Sequence, residues 1–305
     1  MGNAYLTGRF WGVAAFGPYT LTSGGNYDTF AAKLDPDSNW LWAVRAGGAS
    51  NDRGSGIAVD GVGNAYLTGY FMGSVAFGPY TLISNGVYDI FAAKLDPNGN
   101  WLWAVRAGGT NVDYGYGIAV DGAGNAYLTG VFASSATFGP DTLTSSGGYD
   151  IFAAKLDSAG NFLWAARAGG ASHDGGIGIA VNGTGNAWLT GSFAGSAEFS
   201  PYTLTSSGNI DIFVAKIATT AAFPSSPENL AITRSGNDIL LSWDAVTLDT
   251  NNQALIPDGY RVYSGSDADP ESFSLLGEVT GTSYTHNGAA ADLGRHCYRV
   301  TAVKD

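Results

Sequence analysis

A repeat with a period of 61 residues runs through most of the chain. The segment Gly-Asn-Ala-Tyr-Leu-Thr-Gly begins at Gly2, Gly63 and Gly124, and it returns at Gly185 with Trp in place of Tyr. No insertion or deletion disturbs this register over residues 1–216. Periodicity of this length is typical of proteins that stack copies of one supersecondary unit.

Each repeat is predicted to contain two β-hairpins. In the third copy, residues 118–130 surround the turn Gly122-Ala-Gly124, and residues 150–169 surround Ser158-Ala-Gly160. β-Branched and aromatic residues dominate between these turns, and no apolar pattern with a helical period is long enough for a helix. The chain is therefore predicted to be all-β, with one four-stranded β-propeller blade per repeat and about three and a half blades.

The second hairpin of a repeat is predicted to be symmetric about Asn98. One of its faces would then carry a set of mostly large apolar side chains, namely Phe91, Ala93, Leu95, Trp101, Trp103 and Val105. The segments that join the two hairpins, at 9–15, 70–76, 131–137 and 192–198, are predicted to be long loops on one common face. We expect this long-loop face to be the functional surface.

The repeated motifs resemble a known family. The segments Asp-x-x-Gly-Asn-Ala-Tyr-Leu-Thr-Gly, Asp-Ile-Phe-Ala-Ala-Lys-Leu-Asp and Gly-Gly-x-x-x-Asp-x-Gly-x-Gly-Ile-Ala-Val-Asp closely resemble the bacterial β-propeller repeat family called SBBP, over residues 1–217. The resemblance implies propellers, often seven-bladed, in large extracellular or cell-envelope proteins. It implies no shared enzymatic activity.

The array of blades is predicted to be incomplete. The first half of the repeat occurs four times and the second half three times, whereas closed propellers have about 4 to 8 whole blades. We expect a fragment of a longer protein. The alternative is a homodimer in which two chains of three and a half blades complete one ring.

A second domain is predicted after a linker at 218–227, where the repeat register stops. Residues 228–305 contain short alternating strands, as a β-sandwich requires. The segments around Trp243, Tyr260 and Tyr298 resemble a fibronectin type III module. That resemblance implies a core position for Trp243 and a tyrosine-corner position for Tyr298.

Composition excludes several classes of partner. The formal net charge is −12, and no run of Lys or Arg could follow a phosphate backbone, so no nucleic acid is predicted. No apolar stretch is long enough to span a bilayer, so no membrane insertion is predicted. Cys297 is the single cysteine, which excludes an intramolecular disulfide.

Two sets of charged residues recur in register. Asp60, Asp96, Asp121 and Asp157 each precede an Asn by four residues. These segments look like the start of a calcium loop without its terminal bidentate Glu, and tight-turn chemistry explains them better. No cofactor is predicted, and structural calcium is an unsupported alternative. The recurring basic residues are expected to form salt bridges between blades or to lie at exposed strand ends: Lys33, Lys94, Lys155, Lys216, Arg45, Arg106 and Arg167.

Five residues form a set of candidate ligand contacts. Asp52, Asp113 and Asp174 each follow a Gly-Gly pair, where a carboxylate could bind a cation or sugar hydroxyls. The structural alternative, which we favour, is that each accepts backbone N–H bonds within its loop. Trp11 occupies a variable position and is predicted to be exposed. Tyr114, next to Asp113, completes the set.

No catalytic arrangement is visible in the sequence, so the protein is not predicted to be an enzyme. The leading hypothesis is a non-catalytic binding or adhesion module, secreted or on the cell surface, whose partner is a protein or a polysaccharide. The second is a purely structural spacer of a larger envelope protein. The third is a non-catalytic fragment of a larger secreted enzyme.

Overall fold

The computed structural model describes residues 2–183, 185–217, 229–235, 238–245, 259–266, 274–287 and 296–303. Every regular element in these ranges is a β-strand, which confirms the all-β prediction. Among these residues no helix has the length and apolar character needed to cross a membrane. The chain divides into two compact units, Met1–Ala218 and Thr219–Asp305. The predicted linker at 218–227 lies outside the described residues.

The first unit contains the four repeats in chain order. The first repeat has β1 (Ala4–Phe16), β2 (Tyr19–Leu34) and β3 (Trp40–Gly48). The second has β4 (Asp52–Val59), β5 (Ala65–Phe71), β6 (Ser74–Phe77), β7 (Tyr80–Ile83), β8 (Asp89–Leu95) and β9 (Trp101–Gly109). The third has β10 (Tyr114–Val120), β11 (Ala126–Phe138), β12 (Asp141–Leu156) and β13 (Phe162–Gly170). The fourth has β14 (Gly175–Val181), β15 (Ala187–Phe193), β16 (Ser196–Phe199), β17 (Tyr202–Thr205) and β18 (Asp211–Ile217).

The repeats form the predicted antiparallel sheets. Pairing runs β4-β5-β8-β9 in the second repeat and β10-β11-β12-β13 in the third. The first repeat pairs as β1-β2-β3, and the fourth pairs as β14-β15-β18. The first strands of successive repeats, β4, β10 and β14, lie beside one another. A Cβ atom at Gly56 would lie 2.9 Å from the carbonyl oxygen of Tyr116, so this close approach requires glycine.

The predicted long loops are strands instead. Residues 74–77 form β6, which pairs with β7 and also with β3 of the preceding repeat through Gly48 and Val75. The ends of β11 and β16 pair with β9 and β13 in the same way. The alternating apolar residues of these segments, such as Val75 and Phe77, are buried. The loop prediction was therefore wrong, because each segment builds an outer hairpin that ties one repeat to the previous one.

The second hairpin of the repeat is not symmetric about Asn98. Leu95 pairs with Trp101, but Lys94 pairs with Trp103, so a β-bulge inserts one extra residue. A one-residue shift moves every later side chain to the opposite face. Trp103 consequently packs against Tyr66, with ring centroids 6.1 Å apart, and it does not share a face with Phe91. The predicted six-residue face is wrong for this reason.

Aromatic side chains fill the core where consecutive sheets pack. Phe77 contacts Phe91 with a centroid distance of 4.8 Å, and the equivalent pair in the third repeat also lies at 4.8 Å. Trp42 and Trp103 are buried, and each indole N–H donates to a carbonyl of the following repeat, at Pro97 and at Ser158 respectively. These tryptophans are therefore part of the repeat framework.

The Asp-rich turns have the geometry that turn chemistry predicts. In the turn after β8, Oδ1 of Asp96 accepts the N–H groups of Asn98 and Asn100, and Nδ2 of Asn100 donates to Oδ2 at 2.8 Å. Gly99 has a φ of 86°, which L-residues rarely adopt. These hydrogen bonds lower the pKa of the Asp96 carboxyl, although partial burial opposes them.

The recurring arginines each form a salt bridge within their own repeat. Arg45 contacts Asp28 at 3.0 Å, and the same pairing joins Arg106 to Asp89 and Arg167 to Asp150. The recurring lysine does cross between repeats, but its partner is a carbonyl oxygen: Nζ of Lys94 lies 3.3 Å from the oxygen of Ser158. One ion pair does join neighbouring repeats, because Nη2 of Arg167 lies 3.8 Å from a carboxylate oxygen of Glu198. The inter-blade prediction is therefore confirmed at Arg167, whereas the ion pairs of Arg45 and Arg106 are internal to a repeat.

The second unit contains two antiparallel sheets in its described residues. The strands are β19 (Ala231–Ser235), β20 (Asp238–Ser242), β21 (Gly259–Ser266), β22 (Ser274–Val279), β23 (Ser283–His286) and β24 (His296–Val303). They pair as β19-β20-β23 and as β22-β21-β24. Trp243 is buried against Tyr260, with centroids 5.4 Å apart. The side chain of Tyr298 lies outside the described part, so the tyrosine corner and the fibronectin-like assignment stay predictions.

Candidate functional site

The four repeats share a framework and differ at a small set of positions. The position that follows Gly8, Gly69, Gly130 and Gly191 in the successive copies holds Arg9, Tyr70, Val131 and Ser192, respectively. Two other variable positions hold Asn51, Val112 and His173, and Arg53, Tyr114 and Gly175. Since the backbone hydrogen bonds are the same in each copy, packing of the framework does not specify these side chains.

Several of these variable positions converge at one pocket of about 150 Å³. We call it the tyrosine pocket. It lies within the first unit and takes side chains from the first three repeats. Its lining consists of Arg9, Tyr27, Asn51, Asp52, Arg53, Tyr70, Tyr88 and Tyr114.

Three tyrosine rings in the pocket contact one another. The centroid of Tyr70 lies 4.4 Å from that of Tyr114 and 5.4 Å from that of Tyr88, and Tyr88 lies 5.6 Å from Tyr114. Burial, reinforced by neighbouring tyrosines, raises the pKa of Tyr114 to about 12, so its phenol is protonated at neutral pH. The cluster therefore offers ring surface and hydroxyl groups with no negative charge.

Two arginines border these rings. The guanidinium of Arg9 lies 4.5 Å from the ring centroid of Tyr27 in a cation–π contact. Arg53 lies one residue after Asp52 at the start of β4 and is exposed. Among the residues that the structure describes, neither arginine forms an ion pair, whereas Arg45, Arg106 and Arg167 each contact a buried aspartate.

Asp52 serves the framework at the wall of the tyrosine pocket. Its carboxylate accepts the N–H of Gly48 at 2.8 Å and the N–H of Met72 at 3.4 Å, so it joins the end of β3 to the end of β5. Its side chain is almost fully buried. Burial raises the pKa of Asp52 to about 7, the nearby Asp28 adds to this, and the two backbone hydrogen bonds and Arg45 oppose it.

The equivalent aspartates make the same contacts. Asp113 accepts the N–H groups of Gly109 and Ala133, and Asp174 accepts those of Gly170 and Ala194. Burial raises the pKa of Asp113 to about 6. This geometry agrees with the structural alternative for all three residues, because their oxygens bond to the backbone.

The structure brings together two of the five sequence-predicted candidates. Asp52 and Tyr114 both line the tyrosine pocket. Trp11 is 70% exposed and pairs with Tyr27 across β1 and β2, so it lies beside the pocket without lining it. Asp113 and Asp174 do not line the pocket, although Asp113 precedes Tyr114 and its N–H donates to the carbonyl oxygen of Tyr88 at 2.9 Å. Their assignment as ligand contacts stays a prediction.

Sequence reasoning missed most of the pocket residues. Arg9 and Tyr70 begin two of the segments that were predicted as the functional surface, whereas Arg53 lies outside those segments. All three occupy positions where otherwise similar repeats differ. That difference between copies was the available signal. Tyr88 had no such signal, because Tyr occurs at this position in three of the four copies.

A second concavity of about 570 Å³ is wide and open. Its walls are residues 144–148 together with small side chains such as Ala133 and Ser134. His173 lies there with its ring 5.3 Å from that of Tyr149, and its Nδ1 accepts the N–H of Tyr149. Small uncharged side chains line most of this groove, so it offers less specific chemistry than the tyrosine pocket.

The described residues contain no group of three or more His, Cys, Asp or Glu side chains that could hold a metal ion. The Asp-rich turns accordingly show one carboxylate each, bonded to its own loop.

The β-propeller repeat family SBBP matches residues 41–70 and 102–131. Each matched stretch includes most of the last strand of one repeat and the first two strands of the next. The chain is also similar to an uncharacterized WD repeat-containing protein of Acanthamoeba polyphaga mimivirus, with 31% identity over 115 residues. That alignment covers 35% of this chain and 8% of the relative, so the chain spans a small part of the relative's length. Both matches support a repeat protein of the β-propeller kind.

Proposed function

We propose that this chain is a non-catalytic binding module that holds a sugar unit of a polysaccharide in the tyrosine pocket. One observation carries the proposal: three of the positions that vary between otherwise similar repeats, those of Arg9 and Tyr70, of Asn51, and of Arg53 and Tyr114, meet at this pocket. Positions that the repeated framework does not constrain can carry side chains that bind a ligand. The SBBP resemblance adds a location, which we propose to be secreted or at the cell surface.

The chemistry of the pocket favours a sugar over a flat protein surface. Its volume of about 150 Å³ suits a single sugar ring. A protein interface instead buries on the order of 800 Å² of surface on each partner. Tyrosine rings pack against the C–H face of a pyranose, and their hydroxyls bond with sugar hydroxyls. The amide of Asn51 adds a second type of hydrogen-bonding group.

A spacer role in a larger envelope protein is the second candidate. The observation in its favour is the buried polar framework, which recurs at Asp28, Asp89 and Asp150 whether or not a pocket lies nearby. A spacer needs this rigidity and needs no ligand. The two candidates therefore differ in the role of the pocket tyrosines. A binding module needs them to hold a ligand, whereas a spacer needs them only for packing.

An array of neutral and acidic glycans, followed by calorimetry on the tightest ligand, tests the proposal. Tyr88→Ala is expected to weaken binding about tenfold or more, since it removes a ring of the cluster. Tyr202→Ala is the matched control, because Tyr202 is 72% exposed and lies outside the pocket. Saturable binding that Tyr88→Ala weakens and Tyr202→Ala leaves unchanged supports the proposal. A uniformly negative array, or equal losses in both variants, would favour the spacer.

A further inference from the structure

We infer that the tyrosine pocket selects an acidic sugar, with Arg9 and Arg53 binding the carboxylate of a uronic acid unit. This inference rests on the proposed function and narrows its ligand class. It starts from an imbalance of charge. The whole chain carries a net charge of −12, yet two arginines without a carboxylate partner among the described residues border the same small pocket.

These arginines are specific to one junction between repeats. At the next junction the equivalent positions hold Tyr70 and Tyr114, and at the following one they hold Val131 and Gly175. The hydrogen bonds of Asp52, Asp113 and Asp174 are nevertheless the same at all three junctions. The framework therefore does not require a cation here, and we attribute the two guanidinium groups to ligand binding.

The nearby aspartate does not neutralise the pair. The oxygens of Asp52 bond to the N–H groups of Gly48 and Met72, and the charges that act on its carboxylate are those of Asp28 and Arg45. Even with Asp52 fully ionised, two guanidinium groups leave the lining with a net positive charge. An anion is thus favoured in the pocket although the molecule as a whole is acidic.

The shape of the lining separates an acidic sugar from other anions. An arginine side chain binds a carboxylate through two parallel N–H donors, and such charge-assisted bonds are stronger than neutral ones. The rings of Tyr70, Tyr88 and Tyr114 supply an apolar surface beside that charge. A uronic acid has both parts, a C–H ring face and a carboxylate at its edge, whereas an aliphatic carboxylate has only the second.

Calorimetry with trigalacturonic acid and with its fully methylated ester tests the inference on the full chain. The ester lacks the negative charge at each ring and carries a methyl group there instead. The wild-type chain is expected to bind the acid about tenfold more tightly than the ester, as one charge-assisted interaction implies. In the Arg9→Gln/Arg53→Gln variant this ratio is expected to fall to about one, because the variant loses the charge-assisted bonds to the acid. Both positions are exposed, and an unchanged melting temperature checks that the variant folds.

Several results would overturn the inference, and they are separable from failure of the proposed function. Equal affinity for acid and ester in the wild-type chain, or no affinity for either, excludes selection of a uronic acid. If the ester or another neutral glycan still binds and Tyr88→Ala abolishes that binding, the proposed function stands. Triglutamate controls for charge without a ring, and affinity equal to that of trigalacturonic acid would exclude the sugar.

Discussion

At the residue scale, the buried aspartates show how one side chain can serve the framework and respond to pH. Asp52, Asp113 and Asp174 each join the end of one repeat to the second strand of the next through two backbone N–H groups. The carboxylate must give up water to do so, and its hydrogen bonds only partly compensate. Burial therefore raises the pKa of Asp52 to about 7 and that of Asp113 to about 6.

Asp52 makes the stability of the first unit depend on pH. Its pKa of about 7 in the folded chain exceeds the ordinary value of 3.8, so the folded state binds the proton more tightly than the unfolded state. The stabilisation is fully present below the ordinary pKa and is lost as the pH rises through the folded pKa. Urea unfolding of the wild-type chain is expected to show this decline between about pH 4 and about pH 7, and Asp52→Asn is expected to flatten it.

Asp113→Asn is the companion variant. It should remove a smaller part of the decline, because the folded pKa of Asp113 is about 6. Both variants also lose one hydrogen-bond acceptor, which lowers stability at every pH without changing the slope. Parallel pH profiles for the wild-type chain and both variants would show that these carboxylates do not carry the dependence.

At the element scale, the turn between the first two strands of the second, third and fourth repeats contains one glycine with positive φ, at Gly63, Gly124 and Gly185. Gly63 has a φ of 91°, and the nearest atom to an added Cβ, the hydroxyl oxygen of Tyr5, would lie 3.5 Å away. The space is therefore sufficient, and the cost of a side chain comes from the backbone conformation. Gly61 lies in the same turn, without positive φ and with no atom within 4 Å of an added Cβ.

Gly63→Ala is expected to destabilise the first unit by about 1 kcal/mol because of backbone strain. Gly61→Ala is the matched control and is expected to have little effect or to stabilise slightly. Thermal unfolding should place the two variants about 2–4 °C apart. Equal melting temperatures would contradict the assignment of strain to the Gly63 conformation.

The period of 61 residues predicted the four strands of a repeat and its tight turns, because turn residues and alternation are local signals. Two features escaped prediction. The bulge beside Lys94, which places Trp103 against Tyr66, is not marked by any local residue type. The loop prediction for 70–76 missed strand β6 of the outer hairpin, because one of its partner strands, β3, is in the preceding repeat.

At the scale of the whole molecule, the first unit repeats one framework and gives one junction a distinct lining. Asp52 and Tyr114 could be identified from their sequence neighbourhood, but the convergence of Arg9, Arg53 and Tyr70 could not. Arg53 lies 44 positions and Tyr70 lies 61 positions after Arg9, and only stacking of consecutive repeats places them together. The pocket is thus a product of the array and not of any single repeat.

The central claim is that the framework is independent of the arginine and tyrosine side chains that line the tyrosine pocket. The chain itself provides the replacements, since Ser192, Val131 and Ile210 occupy the positions equivalent to Arg9, Tyr70 and Tyr88. The most direct measurement is calorimetric titration of the triple variant Arg9→Ser/Tyr70→Val/Tyr88→Ile with the glycan that the wild-type chain binds, alongside its thermal unfolding. We predict a folded chain, with a melting temperature within about 4 °C of wild type, that no longer binds the glycan. Wild-type affinity in the triple variant, or its failure to fold, would contradict the account.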